Sequence, residues 1–281
     1  MGEFFADLAT YHFLQYALLA GLLVSVASGV VGTYVVVRRI TYIAGSIAHC
    51  VLGGLGAAKY FKIVYGWQWL SPMYGAAATA ILAAIIIGLV TLRAKQREDT
   101  VIGALWAIGM ATGVLFIART PGYQEDVMSY LFGDILLVER SDLWLIAGLD
   151  AAVVLLGVLF YNKFLAVCFD EEFARLRGVR VEFYYLLLLC LTALTVVMLM
   201  KVVGIVMVIA LLTLPVAVAG YFARTLWQMM VVAACLSVLF TTSGLIISYQ
   251  PNLPAGATII VLAGAAYLLT AGGHAICRRG E

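Results

Sequence analysis

Charge is what this sequence has least of. Asp, Glu, Lys and Arg make up 11% of the 281 residues, while 64% are hydrophobic and mean hydropathy is +1.06. A water-facing domain typically carries about 25% charged and 45–50% apolar residues. So little polar material does not cover a soluble surface, and the composition predicts a polytopic helical membrane protein. Cysteines are few and scattered, at Cys50, Cys168, Cys190, Cys235 and Cys277, with no CxxC pair. That excludes a disulfide framework or a zinc knuckle and leaves them as small apolar residues. No GxxxxGK[ST] loop is present, so the chain is not expected to bind and hydrolyse ATP itself. There is no HExxH, no paired acids at catalytic spacing and no nucleophile–base set, which argues against a membrane enzyme. Repeats, low-complexity tracts and linkers are missing too, so residues 1–281 read as a single transmembrane domain. A net charge of +2 gives no reason to expect nucleic acid as a partner.

What the chain does have is long apolar runs. A helix crossing about 30 Å of hydrocarbon needs about 20 such residues. Nine candidate spans fit, near 13–37, 42–60, 72–92, 101–118, 143–161, 182–200, 202–221, 226–249 and 256–276. Only Lys201 separates the sixth from the seventh, so the count runs from eight to ten. The first run lacks the basic region and cleavage site of a signal peptide and is expected to stay as a span.

One set of loops holds twelve basic residues: Arg38, Arg39, Arg93, Lys95, Arg97, Lys163, Arg175, Arg177, Arg180, Arg224, Arg278 and Arg279. The alternate set holds five: Lys59, Lys62, Arg119, Arg140 and Lys201. The basic set marks the cytoplasmic side. With nine spans the N-terminus then lies outside and the C-terminus inside.

Two connections are more than turns. "FDEEFARLRGVRV", residues 169–181, places Phe169, Phe173 and Leu176 on one helical face. Asp170 suits the start of a short helix and Gly178 its end. Two readings stand open, docking into a groove of a cytosolic partner or lying on the bilayer surface. On the outer side, residues 127–138 are apolar but too short to span. They suit a re-entrant or an interfacial segment.

Polar groups at membrane depth are costly and face a cavity or a partner. His49 lies inside "RRITYIAGSIAHCVLGGLG", residues 38–56. It reads either as a metal ligand on a pathway or as a hydrogen-bonded core histidine. Neutral imidazole binds transition metals without carrying charge into the bilayer. Ser46, at i−3, shares its helix face and is expected to orient the ring or a water. Cys50 points about 100° away and reads as packing. Asp150, a third of the way into the fifth span, either lines the outer pathway or pairs across a helix contact. Asp134, with Glu125 and Asp126, either draws cations to an outer mouth or is plain loop charge. Gly53, Gly54 and Gly56 suit close helix approach or local unwinding. Pro215 is expected to kink the seventh span and free a carbonyl.

Taken in order, these pieces resemble the permease subunit of the ABC-type zinc/manganese importers. Residues 38–56 resemble that family's second-span histidine motif and "GALWAIGMATGVLF" its fourth span. "SYLFGDILLV" resembles its external segment and "FDEEFARLRGVRV" its coupling helix. "VVGIVMVIALLTLPVAVA" resembles its leucine-rich span with a late proline, and "NLPAGATIIVL" the start of its last span.

The resemblance implies a homodimer with one pathway at the two-fold interface, in a prokaryotic cell membrane. Two copies of a cytoplasmic ATP-binding subunit would dock on a coupling helix built from Asp170, Glu171, Glu172, Ala174, Arg175 and Gly178. An extracytoplasmic protein would deliver the metal, which is cargo (Zn²⁺ or Mn²⁺) rather than a resident cofactor. Ser46 departs from the pattern, because many members carry aspartate three residues before the histidine. With a histidine kept and that carboxylate gone, the donor set leans toward zinc over manganese. The alternatives are a stand-alone secondary transporter or channel for a metal cation, or an importer of a larger chelate. Permeases of the latter kind are generally longer and lack the His49 motif.

Overall fold

The computed structural model describes residues 7–8, 10–93, 98–122, 133, 135, 138–205, 208–251 and 253–279, and among them all regular structure is helical. In hydrocarbon every backbone N–H and C=O must be satisfied within the protein, and a helix does so locally. The helices are α1 (His12–Val37), α2 (Thr41–Val64), α3 (Pro72–Arg93), α4 (Glu98–Arg119), α5 (Arg140–Leu159), α6 (Tyr161–Phe169), α7 (Glu171–Leu176), α8 (Val181–Val203), α9 (Val208–Phe222), α10 (Leu226–Tyr249) and α11 (Ala255–Arg279).

Eight of these, among the described residues, are long and apolar enough to cross a membrane. The predicted seventh span is the exception. It begins only at Val208, past a break at Gly204 (φ +81°), and α9 has 15 residues. Pro215 does sit inside α9, and its effect is visible. A proline has no N–H to give the carbonyl four residues back. That carbonyl, of Leu211, accepts instead from Ser28 Oγ of α1 at 3.3 Å. The sequence also hid α6. The predicted fifth span ran on to Tyr161, but the chain turns at Phe160 and starts a separate nine-residue helix.

The most enclosed helices are α1, α2 and α8. The other helices pack around them: α3 and α4 on α2, α5 and α10 on α1, α3 again on α8. Small residues set how closely they meet. A Cβ on Gly109 of α4 would stand 2.6 Å from Cys50 Cα, and one on Gly56 of α2 2.7 Å from Gly113 O. The α2 glycines therefore serve close approach, and α2 runs unbroken past all three.

Ion pairs mark the two ends of the bundle. At one end Arg38, after α1, pairs with Glu171 of α7. At the other, Lys201 of α8 lies 3.2 Å from Asp142 in the first turn of α5. Lys201 is thus paired. Of the outer segment, most of residues 127–138 lies outside the described residues. Ile135 and Val138 are buried, and Gly133 (φ +68°) lies against Val203 and Gly204.

Candidate functional site

The seam between α2 and α4 holds the histidine. Along α2 the residues on this seam are Ser46, His49, Cys50 and Gly53, and along α4 they are Ile102, Leu105, Trp106 and Gly109. Both sets follow the i, i+3, i+4, i+7 spacing of one helix face. Ser46 Oγ donates to Ile102 O at 2.9 Å, and Cys50 Sγ donates to Leu105 O at 3.2 Å. These bonds stitch α2 to α4. The expected role of Ser46 is therefore revised: its hydroxyl is spent on α4 and does not orient the imidazole.

Stacking orients the ring instead. His49 lies parallel to Trp106, centroids 4.2 Å apart and planes 14° apart, and Tyr42 meets the same indole at 6.0 Å. His49 is 7% exposed, and its Nδ1 is buried with no hydrogen-bond partner. Buried polar atoms are nearly always paired, so an orphan of this kind calls for a ligand or a water. A hydrogen-bonded core histidine would have a partner at this nitrogen. Among the described residues no three His, Cys, Asp or Glu side chains gather where they could hold a metal ion. Any metal here has an imidazole from this chain and needs donors from elsewhere.

Asp150 is not brought to this seam. It is buried on α5 against α1, where its Oδ1 accepts from Ala27 N at 3.1 Å. Of its two expected readings, this geometry is the helix contact, made to a backbone amide. Tyr34 donates to Gly157 O at 2.9 Å across the same pair of helices. Asp134, Glu125 and Asp126 lie outside the described residues.

The residues expected to build a coupling helix form a short helix, α7 (Glu171–Leu176). Asp170 caps α7, its Oδ1 accepting from Phe173 N at 2.9 Å. Gly178 (φ +75°) closes it, with Gly178 N–H on Arg175 O and Val179 N–H on Ala174 O. Ala174 is fully buried against the bundle. Glu171 faces inward to Arg38, while Glu172 and Arg175 are exposed. Phe169, Phe173 and Leu176 are exposed as well, Leu176 at 87%. Arg177 lies over the Phe173 ring, 4.7 Å from its centroid. This is an exposed apolar face rimmed by charge, and among the described residues Phe169, Phe173 and Leu176 all remain open to the surroundings.

Two contributors escaped the sequence. Trp106 is one apolar residue among many in its span, and Arg38 read only as part of a basic loop. No local spacing links either of them to its partner.

Comparison with known proteins places the whole chain. A family model described as the ABC 3 transport family matches residues 10–272. A probable metal transport system membrane protein of Chlamydia pneumoniae is 42% identical over 249 residues, covering 89% of this chain and 85% of that one. The manganese transport system membrane protein MntC of Halalkalibacterium halodurans is 32% identical over 266 residues, covering 95% and 89%. Among solved structures, PsaBC from Streptococcus pneumoniae in complex with Fab superimposes with a TM-score of 0.85 at 32% identity. It covers 96% of this chain and 94% of that one.

Proposed function

The chain belongs to the ABC 3 transport family, and from that premise we propose that it is the membrane-spanning permease subunit of an ATP-driven importer for a divalent transition metal, manganese or zinc. Relatives named for manganese transport support the first metal. A histidine donor without a neighbouring carboxylate supports the second. Membership in this family removes the ground for a stand-alone secondary transporter.

The observation that carries the reading is the unpartnered Nδ1 of His49 at membrane depth. A neutral imidazole offers a metal a lone pair at no cost in buried charge. One chain supplies one such donor. In a homodimer a second copy would supply another across the axis, with water completing the shell. An incomplete shell suits transport, because conduction needs binding weak enough to release. A closed cage of four protein ligands would hold the ion as structural zinc sites do.

The work is powered elsewhere, by ATP-binding subunits docking on the exposed face of α7, and a delivery protein meets the opposite end. The test is metal-stimulated ATP hydrolysis by the purified complex, measured with manganese and with zinc. The cargo raises hydrolysis in wild type and fails to do so in His49→Gln. Equal stimulation in both proteins, with the complex intact, would overturn the role of His49.

A further inference from the structure

Between α7 and the helix that carries His49 lies a mechanical link that the family reading does not supply. Arg38 is the C-cap of α1, and only Arg38, Arg39 and Ile40 separate α1 from α2. The turn is tightly bonded: Arg39 N–H donates to Val36 O at 3.1 Å and Ile40 N–H to Val35 O at 3.0 Å. This is the double closure that usually takes glycine at its left-handed position. Here that position is Arg39, at φ +61°, the lone non-glycine residue with positive φ among those described. Such strain persists only where surrounding contacts over-determine it.

Those contacts converge on Arg38. Its guanidinium pairs with Glu171 at the start of α7 and lies 5.6 Å from the Tyr185 ring centroid of α8. Helix α7 otherwise turns its side chains outward, and Ala174 is its buried contact. Past the turn, α2 continues without a break from Thr41 through His49. At 1.5 Å per residue His49 stands about 13 Å up a rigid rod from Ile40.

We propose that the Arg38–Glu171 ion pair is a coupling strut: it carries displacement of α7 to the strained α1–α2 turn, and through α2 to His49. Arg38 is a positioning residue and touches no metal. The inference rests on α7 being the docking helix. A displacement that pulls Glu171 pulls Arg38 with it, because both groups are charged, half-buried and directly paired. The turn has nowhere to absorb the motion, since each of its three residues is bonded back to α1 or buried. The pair is partly open to solvent, which limits its contribution to folding, and its loss is read as metal taken up per ATP, a ratio that does not depend on protein level.

The test uses the full complex in proteoliposomes, comparing wild type, Arg38→Glu, Glu171→Arg and the double exchange. Three quantities are read: co-purification of the ATP-binding subunit, ATP hydrolysis, and uptake of radiolabelled manganese or zinc. Arg38→Glu retains the subunit and hydrolyses ATP, but metal taken up per ATP falls at least tenfold. The double exchange recovers at least a third of the wild-type ratio. Single variants that keep the wild-type ratio, or a double exchange no better than the singles, overturn the strut. Leu176→Glu, on the outward face, separates this from failure of the docking reading. If the subunit still co-purifies with Leu176→Glu, docking at α7 is wrong and the strut falls with it. If co-purification is lost there while the exchange does not rescue, docking stands and the strut alone fails.

Discussion

The imidazole of His49 is where sequence and structure meet most directly. A lone histidine in an apolar run stands out by composition, because ionisable groups at that depth are rare. Its surroundings do not stand out. Ser46 shares its face and is a reasonable partner by spacing, yet a hydroxyl in an apolar seam takes the nearest carbonyl, here Ile102 O. The indole that holds the ring comes from another helix and leaves no trace in local spacing. Replacing His49 by Gln keeps bulk and polarity but removes a good metal donor. Uptake in whole cells is expected to fall at least tenfold with the protein still inserted at wild-type level. A core histidine would instead lose uptake only in step with protein level. Arg39 offers a separate check of backbone strain. Glycine takes the left-handed conformation without penalty, whereas other residues incur about 1–2 kcal/mol. Thermal unfolding in detergent should show Arg39→Gly raising stability by about 1 kcal/mol and Arg39→Val lowering it.

Helix α7 shows how a weak element is made to persist. Six residues do not form a stable helix on their own, since nucleation costs more than so few bonds return. Asp170 at one end, Gly178 at the other and Ala174 buried between them hold it. Cap and terminator were legible because both depend on local chemistry. The inward turn of Glu171 was not, because it depends on where α1 ends in space. Ala174→Pro removes the Ala174 N–H bond to Asp170 O, 3.1 Å in the native helix, and sets a ring against the wall where alanine packs. Pull-down should lose the ATP-binding subunit while the permease remains inserted. A complex that still assembles would mean α7 is not the docking element. Helix α9 repeats the lesson. Pro215 announced a freed carbonyl, but only the folded bundle names Ser28 as its partner. Ser28→Ala leaves Leu211 O buried without that donor, a loss of about 1–3 kcal/mol. It should appear as a lowered unfolding temperature with α9 still formed.

At the scale of the molecule, parity decides where every loop lies. Basic residues alternate from loop to loop, and the paired ends of the bundle follow the same partition, with Arg38 and Glu171 at one end and Lys201 and Asp142 at the other. The weak link is α9. Its 15 residues reach about 22 Å, less than the roughly 30 Å of hydrocarbon. Composition counted it as a full span because residues 202–207 are as apolar as the helix itself. The break at Gly204 cannot be seen in hydropathy, since glycine at positive φ is a backbone property. Gly204 and Ile205 are buried, so irregular backbone at that depth is enclosed by protein, which is where a membrane tolerates it. The alternation of basic loops requires α8 and α9 to make two crossings. Arg175 precedes both and Arg224 follows both. Single cysteines at positions 175 and 224 should therefore react with a membrane-impermeant maleimide from the same side, and a cysteine at Gln68 from the other. If 175 and 224 label from opposite faces, α9 does not cross, the count is even, and both α10 and α11 are inverted relative to the bilayer.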